Sequence, residues 1–251
     1  MMLKEISKYW TSSSAGYDKV IQTQFRSRKT VRLWKQLLIQ GIGLKSRQKV
    51  LDVGTGPGFF SILLSQMGHQ ATAVDASPGM IERASQNFDR YGCKVQAYVG
   101  DAADLSAEPD NSFDAVVCRD MVWTLPEPQK AYAEWHRILK PGGTLIVFDG
   151  NYMYKENRSL FRRLWYALSW LLILITEKRI RQRSSGDKSL LSELPFVNVL
   201  RPEADEQALL HAGFRIFDTR RNFIPARKLP LNYLKYGYEN VNRFMIIAKK
   251  E

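Results

Sequence analysis

The chain has 251 residues, 45% of them hydrophobic, which suffices for one α/β domain with an insertion. Its 37 lysines and arginines exceed its 25 acidic residues, so nucleic acid, anionic membrane and acidic substrates are all conceivable partners of a basic surface. The two cysteines have no metal-ligand spacing and the histidines form no cluster, so no metal site is predicted. The first ten residues are charged and lack the apolar core of a signal peptide, which predicts a cytoplasmic location.

Residues 1–45 are predicted to be helical, because their apolar side chains recur at roughly helical spacing and no strand pattern appears. Two interpretations of this segment stay open. Its aromatic residues, Tyr17 above all, form a lid over a ligand site, or the helices simply pack on a sheet.

The stretch from Val50 to Gly68 is the most informative part of the chain. A short apolar run ends in Gly54, Gly56 and Gly58, and an amphipathic segment follows, which predicts a buried strand, a tight turn and a helix. Glycines there permit positive φ and let a ligand lie against the main chain, while the helix N-terminus offers N–H groups. A nucleotide-like ligand is therefore predicted at this turn.

The details of the turn argue against a dinucleotide. The dinucleotide fingerprint needs a third small residue where this chain has Phe59. Instead, Asp52 precedes the first glycine by two places, and it can accept hydrogen bonds from the turn or from a ligand ammonium. This arrangement resembles the first motif of the class I S-adenosylmethionine (SAM)-dependent methyltransferases.

Later segments extend the resemblance in family order. Asp75 ends the next apolar strand about 20 residues after Gly54, where a carboxylate suits the two ribose hydroxyls. Asp101 and Ala102 resemble the turn that contacts adenine in this family. Residues 137–150 resemble the Lys-Pro-Gly-Gly turn and fifth strand of the menaquinone/ubiquinone-biosynthesis-like branch. The resemblance is close over residues 45–150 and loose elsewhere.

The family likeness implies a doubly wound α/β fold with a seven-stranded, mostly parallel, Rossmann-like sheet whose last strand is antiparallel. It divides the chain into a helical lid (1–45), a SAM-binding core (46–150), a helical cap insertion after strand five (151–201) and a completion of the sheet (202–251). The cofactor-binding residues that it implies are Tyr17, Asp52, Gly54, Thr55, Gly56, Gly58, Asp75, Ala76, Met80, Asp101, Ala102 and Arg119.

The insertion contains an apolar run, Leu164 to Ile175, that is shorter than the ~20 residues a bilayer span needs. Three interpretations stay open for residues 160–183: a cap helix over the substrate pocket, a contact in a homodimer, or an interfacial membrane helix flanked by arginines. The cap is preferred because insertions after the fifth strand lie at the edge of the sheet where ligands bind.

Methyl transfer from SAM is an in-line displacement at an activated carbon, so positioning accounts for much of the rate and no metal is required. The sequence therefore leaves the catalytic residue unknown. Weak candidates follow strands four and five. Arg119 could hold a carboxylate of the substrate or of the cofactor, and Asp120 or Asp149 could take a proton. The alternative interpretation is that each of these three residues only forms an ion pair in a loop.

The residues after the fourth strand, Arg119 to Val122, lack the Asn/Asp-Pro-Pro-aromatic motif of enzymes that methylate nucleic-acid bases, so DNA is not expected as a substrate. The expected function is SAM-dependent methyl transfer to the O, N or C atom of a small molecule, with S-adenosylhomocysteine as product. Two alternatives remain: a membrane-associated or RNA-directed methyltransferase that uses its basic face, and a catalytically inactive SAM-binding partner subunit.

Overall fold

The computed structural model describes residues 2–45, 47–152, 160–177, 188–223, 234 and 243–251. The strands are β1 Lys49–Val53, β2 Gln70–Asp75, β3 Gln96–Val99, β4 Phe113–Arg119, β5 Leu139–Gly150, β6 Phe214–Arg221 and β7 Arg243–Lys250. The helices are α1 Met2–Arg26, α2 Arg28–Ile42, α3 Phe59–Gln66, α4 Pro78–Arg90, α5 Pro128–Ile138, α6 Leu160–Glu177, α7 Lys188–Ser192 and α8 Glu203–His211, with a 3-10 helix at Val122–Thr124.

The seven strands form one sheet in the order β3-β2-β1-β4-β5-β7-β6. Strands β1 to β5 pair in parallel, and β7 is antiparallel to both of its neighbours, β5 and β6. The fold class predicted from the sequence is thereby confirmed. The strand order reverses between β1 and β4, which is where open α/β sheets bind ligands, outside the carboxyl ends of the strands.

Side chains of the central strands alternate between two apolar layers, as the period of two in a strand requires. In β5, Leu145 and Val147 face a layer that contains Trp135 of α5. Ile146 and Phe148 face the other layer, where the Trp34 ring of α2 meets the Phe148 ring edge-on at 5.4 Å. Both faces of the sheet are therefore covered, so its polar edge at the strand ends is left for a ligand.

The long helix α1 lies over the carboxyl edge of the sheet and is fixed to α4. Asn87 Nδ2 donates a hydrogen bond to Asp18 Oδ1 at 2.8 Å, and Ser7 Oγ donates one to the carbonyl of Ala76 at 2.7 Å. These contacts place the N-terminal segment directly above the ends of β1 and β2.

The insertion contributes two described helices with different environments. Leu191 and Leu194, within and just after α7, are buried against Ile6 of α1. Helix α6 instead exposes one apolar face, which we call the apolar stripe: Leu160, Leu164, Leu168, Leu171 and Ile175, whose exposed fractions lie between 44% and 71%. None of the described helices combines the length and apolar character required to cross a membrane.

Candidate functional site

A cavity of about 300 Å³ opens at the carboxyl ends of β1, β2 and β4, beneath α1. The predicted cofactor residues that line it are Tyr17, Asp52, Gly54, Thr55, Gly56, Asp75, Ala76, Met80, Asp101, Ala102 and Arg119. Gly58 is not among the lining residues. Of the other two catalytic candidates, Asp120 lines the cavity and Asp149 does not. The structure thus gathers residues that the sequence scatters over more than 100 positions, although their individual roles stay predictions.

The turn after β1 needs its glycines for two different reasons. All three have positive φ: 65° at Gly54, 54° at Gly56 and 91° at Gly58. A Cβ at Gly54 would lie 2.3 Å from the Met121 side chain, and one at Gly58 would lie 2.6 Å from Phe88. A Cβ at Gly56 would meet no protein atom within 4 Å. Gly54 and Gly58 therefore permit close packing, whereas Gly56 leaves its peptide open to the cavity.

Asp52 is buried beneath this turn and fixes the start of α3. Its Oδ2 atom accepts hydrogen bonds from Thr55 Oγ1 at 2.7 Å, from Ser61 Oγ at 2.7 Å and from the backbone amide of Ser61 at 2.9 Å. Burial raises the pKa of this carboxyl, and the hydrogen bonds from Ser61 and Thr55 oppose that shift. Asp52 accordingly holds the turn in shape as well as lining the cavity.

Asp75 joins the end of β2 to the glycine turn. Its Oδ2 atom accepts the Gly56 amide and its Oδ1 atom accepts the Ser77 amide, both at 2.9 Å. Burial raises the pKa of Asp75 to about 6, against the lowering effect of these two hydrogen bonds. An ionised carboxylate accepts about four hydrogen bonds, so Asp75 can also accept from the hydroxyls of a ligand.

The turn after β3 also lines the cavity. Asp101 Oδ1 accepts the Ala103 amide at 2.9 Å, and the carbonyl of Ala102 accepts the indole N–H of Trp135 at 3.0 Å. Met80, in the first turn of α4, is buried and lines the same cavity, and its amide donates to Ser77 Oγ at 3.1 Å. Asp101 thus offers a polar surface to the cavity, and Met80 offers an apolar one.

Aromatic side chains form the wall on the side of α1. The Trp10 ring contacts Tyr17 at 5.3 Å and Trp123 at 6.3 Å between ring centres, and the Trp123 ring contacts Tyr152 at 5.4 Å. We call Trp10, Tyr17, Trp123 and Tyr152 the aromatic wall. Its four members come from α1, from the 3-10 helix and from the residues after β5.

Two arginines lie at the opposite end of the cavity from Asp101. The guanidinium of Arg119 lies 4.6 Å from the centre of the Phe59 ring, at the start of α3, and donates to Gln24 at 3.3 Å. Arg243 pairs with Asp120 at 3.1 Å between Nη1 and Oδ1, while the Nε atom of Arg119 lies 3.7 Å from the Oδ2 atom of the same carboxylate.

Asp120 is the junction of these groups. Its φ of 57° is a left-handed conformation, which an aspartate tolerates better than most residues. The Tyr152 hydroxyl donates to Asp120 Oδ1, and the Asp120 carbonyl accepts the Trp123 indole N–H at 3.0 Å. Asp120 therefore lies where the aromatic wall meets the two guanidinium groups.

Asp149 belongs to a separate, fully buried ion cluster. Its Oδ2 atom accepts from Arg201 Nη2 at 3.0 Å, and Arg201 Nη2 also lies 2.6 Å from Asp205 Oδ1. Tyr132 donates to Asp205 at 2.6 Å. Burial raises the pKa of Asp149 to about 6, and the Arg201 charge opposes the shift. Asp149 is linked to the cavity lining by the hydrogen bond that it accepts from the backbone amide of Trp123, at 3.1 Å.

Sequence reasoning missed Arg243, Tyr152 and Gln24, all of which line the cavity. Arg243 begins β7 and pairs with Gly150, the last residue of β5, so the antiparallel return of the chain brings it to the ligand edge. The sequence gives one usable signal, an arginine at the start of the final apolar strand. No motif marks Tyr152 or Gln24.

Residues 51–147 match the family model described as a methyltransferase domain. This part of the chain is similar to methyltransferase domains. A ubiquinone biosynthesis O-methyltransferase of Xanthomonas campestris pv. campestris (strain B100) is 37% identical to it over 99 residues, which cover 39% of this chain and 41% of the relative. A relative of the same name from Xanthomonas oryzae pv. oryzae (strain PXO99A) gives the same identity and coverage. The chain thus spans about two fifths of the length of the curated relatives it matches.

Solved structures share the fold of this domain and its flanking elements. A SAM-dependent methyltransferase from Aquifex aeolicus superposes with a TM-score of 0.59 at 21% identity, covering 93% of this chain and 98% of that one. A putative methyltransferase in complex with the Trm112 activator of Haloferax volcanii gives 0.63 at 18%, covering 97% and 96%. The [4+2]-cyclase SpnF gives 0.60 at 21%, covering 88% and 80%. At these identities the likeness establishes the fold alone.

The likeness to methyltransferase domains implies SAM as the cofactor, and the residues of this chain fit that molecule. Glycine at position 56 leaves open the space that a side chain would fill, so a ligand can lie directly against the peptide. Asp75 can accept hydrogen bonds from the ribose hydroxyls of this molecule. Among the described residues, no group of three or more histidine, cysteine or acidic side chains could hold a metal ion.

Proposed function

We propose that this protein transfers the methyl group of SAM to a small molecule. The observation that carries the proposal is the cavity itself, which lies at the reversal of strand order and is lined by Asp52, Asp75 and Asp101 together with the aromatic wall. When bound, SAM supplies an activated methyl group on a positively charged sulfur.

The residues of the chain would bind, orient and exclude water rather than perform covalent chemistry. Asp75 would hold the ribose, the Gly56 peptide would lie against the cofactor, and helix α1 covers the cavity from above. Trp123 is fixed at both its backbone amide and its indole N–H, so it forms a rigid surface against which an acceptor can align. Such alignment reduces the entropic cost of bringing acceptor and methyl group together.

A small acceptor is favoured over a macromolecule because α1 covers the cavity. Helix α1 is tied to α4 and to the end of β2, and its side chains Trp10 and Tyr17 line the cavity. The O-methyltransferase relatives support an oxygen atom of the acceptor as the site of methylation.

The test is incubation of the full chain with methyl-labelled SAM and fractionated cell extract, followed by mass spectrometry of labelled products. A labelled compound of low molecular mass supports the proposal. Labelled RNA or protein would favour the alternative that a macromolecule is the acceptor. Cofactor binding without any labelled product would identify a catalytically inactive SAM-binding subunit.

We further propose that α6 contacts an anionic membrane surface. Its apolar stripe is exposed, and by sequence two arginines lie near its start at positions 162–163 and a lysine and three arginines follow its end within positions 178–183. An amphipathic helix with basic ends binds in the interface of anionic lipid. None of the described residues of α6 lines the cavity, so the helix is available for such contact. The cap over the substrate pocket, which the sequence favours, and a homodimer through the same stripe are the competing proposals.

A further inference from the structure

Charge is unevenly distributed along the cavity. The carboxylates of Asp52, Asp75 and Asp101 lie at the end formed by β1, β2 and the turn after β3, where backbone amides and hydroxyls stabilise them. At the other end, among the described lining residues, Arg119 and Arg243 share the carboxylate of Asp120. The first end suits a ligand rich in hydroxyl and ammonium donors, and the second end suits an anion.

Arg119 lies on the cofactor side of this second end. Its guanidinium lies over the rings of Phe59 and Phe60 at 4.6 Å and 5.2 Å, next to the glycine turn. The buried Asp52 carboxylate is close enough to raise the pKa of the Arg119 guanidinium, although burial itself is the larger effect and lowers it. Arg119 is therefore placed to bind the carboxylate of the methionine portion of the cofactor.

Arg243 lies further from the glycine turn, on the last strand of the chain. Its side chain is 21% exposed, and its guanidinium lies 5.6 Å from the centre of the Tyr152 ring. Asp120 fixes it by a 3.1 Å contact, and the Tyr152 hydroxyl binds the same carboxylate. Arg243 lines the cavity, so its guanidinium can contact a ligand anion while Asp120 orients it.

We propose that Arg243 is a specificity-determining residue that binds a carboxylate of the methyl acceptor, whose apolar or planar body lies against the aromatic wall. This inference rests on the proposed function, because it divides the two arginines between cofactor and acceptor. An Arg–carboxylate pair is directional and charge-assisted, so it fixes both the identity and the orientation of the acceptor.

The test uses the full chain saturated with S-adenosylhomocysteine and titrated calorimetrically with two matched pairs of compounds, 1-naphthoate with 1-naphthamide and octanoate with octanamide. Each pair keeps the body and changes only the charge. The expected result is at least a tenfold preference for the acid over the amide in one pair. Arg243→Gln should remove that preference while changing the affinity for S-adenosylhomocysteine less than twofold. Arg243→Lys should keep part of the preference.

Two matched variants separate the roles of the arginines. Arg119→Gln should weaken S-adenosylhomocysteine binding by at least tenfold. Arg220→Gln, which removes a half-exposed arginine of β6 paired with Asp218, should leave both affinities unchanged. Circular dichroism and the melting temperature show that each variant is folded.

Three outcomes would overturn the assignment of Arg243: equal binding of acid and amide in both pairs, an acid preference that survives in Arg243→Gln, or a loss of S-adenosylhomocysteine affinity in that variant as large as in Arg119→Gln. Failure of the wild-type chain to bind S-adenosylhomocysteine at all is a different result. It would overturn the proposed function instead.

Discussion

The Asp75 carboxylate accepts the backbone amide of Gly56 at 2.9 Å, which ties the end of β2 to the middle glycine of the turn after β1. The same carboxylate accepts the Ser77 amide at the start of α4. One side chain therefore determines the relative position of two strand ends and a helix N-terminus, all of which face the cavity.

Replacing Asp75 by alanine should weaken SAM binding by about one hundredfold, because the variant loses the ribose acceptor and the anchor of Gly56. The shift in melting temperature that saturating SAM produces in the wild type should disappear. Asp89→Asn provides the control, since Asp89 is an exposed residue of α4 outside the cavity lining. An Asp75→Ala protein that is still stabilised by SAM like the wild type would contradict the assigned role.

SAM affinity should decrease in acid. The folded pKa of Asp75 is raised to about 6, so below that pH the carboxyl is protonated and accepts ligand hydroxyls poorly. The dissociation constant should rise roughly tenfold between about pH 7 and pH 5, measured by calorimetry. In the ligand-free protein, the free energy of unfolding changes with pH in the opposite direction. Because the folded pKa of Asp75 is raised, this residue contributes stability below the usual aspartate pKa, and the contribution is lost as the pH rises through about 6. Asp75→Asn should show neither dependence; an equally steep profile in that variant would assign the titration to another group.

Alanine at two glycines of the turn should separate stability from binding. Gly58→Ala introduces a Cβ 2.6 Å from Phe88 at a φ of 91°, so urea unfolding should show a clear loss of stability. The Cβ of Gly56→Ala would meet no protein atom within 4 Å. This variant should therefore lose only about 1–2 kcal/mol of unfolding free energy, which is the cost of an alanine in the left-handed conformation. Its SAM affinity should nevertheless fall at least tenfold, because the Cβ enters the ligand space. Equal SAM binding by Gly56→Ala and the wild type would show that the ligand does not lie against this peptide.

The buried ion cluster should be sensitive to the loss of Arg201, which pairs with both of its aspartates. Arg201→Met leaves Asp149 and Asp205 buried without their counter-ion, which should lower the free energy of unfolding by about 3–5 kcal/mol. Arg215→Met removes an exposed ion pair with Glu251 and should change the free energy of unfolding by less than about 1 kcal/mol. Urea denaturation of both variants gives the comparison, and similar stabilities would mean that the cluster contributes little.

Helix α6 should bind vesicles that contain anionic phosphatidylglycerol in preference to neutral phosphatidylcholine vesicles. Replacing Leu164 and Leu171 together by glutamate should weaken binding at least tenfold, since each leucine contributes about 1.5–3 kcal/mol when it leaves water. Leu44→Glu is the matched control, because Leu44 is 86% exposed on a different part of the surface. Vesicle co-sedimentation and light scattering distinguish the outcomes: a dimer that the double variant dissociates, without vesicle binding, would identify the stripe as a subunit contact.

The sequence predicted those parts of the molecule whose signals are local. The glycine turn, the acidic residues at successive strand ends and the apolar period of each strand all depend on neighbouring residues, so Asp52, Asp75 and Asp101 could be assigned to one edge of the sheet from their positions in the chain. The two C-terminal strands could also be located from family likeness, because their apolar patterns are distinct.

Only the tertiary structure decided the pairings between distant residues. Arg243 reaches the cavity because β7 pairs antiparallel with β5 in a register that sets it opposite Gly150, and Asp149 leaves the cavity because Arg201 neutralises it inside the core. The alternation of side chains along a strand indicates which residues share a face of the sheet. It does not indicate which residue of the neighbouring strand each one pairs with. The register and the buried ion pairs are set by the packing of the whole sheet.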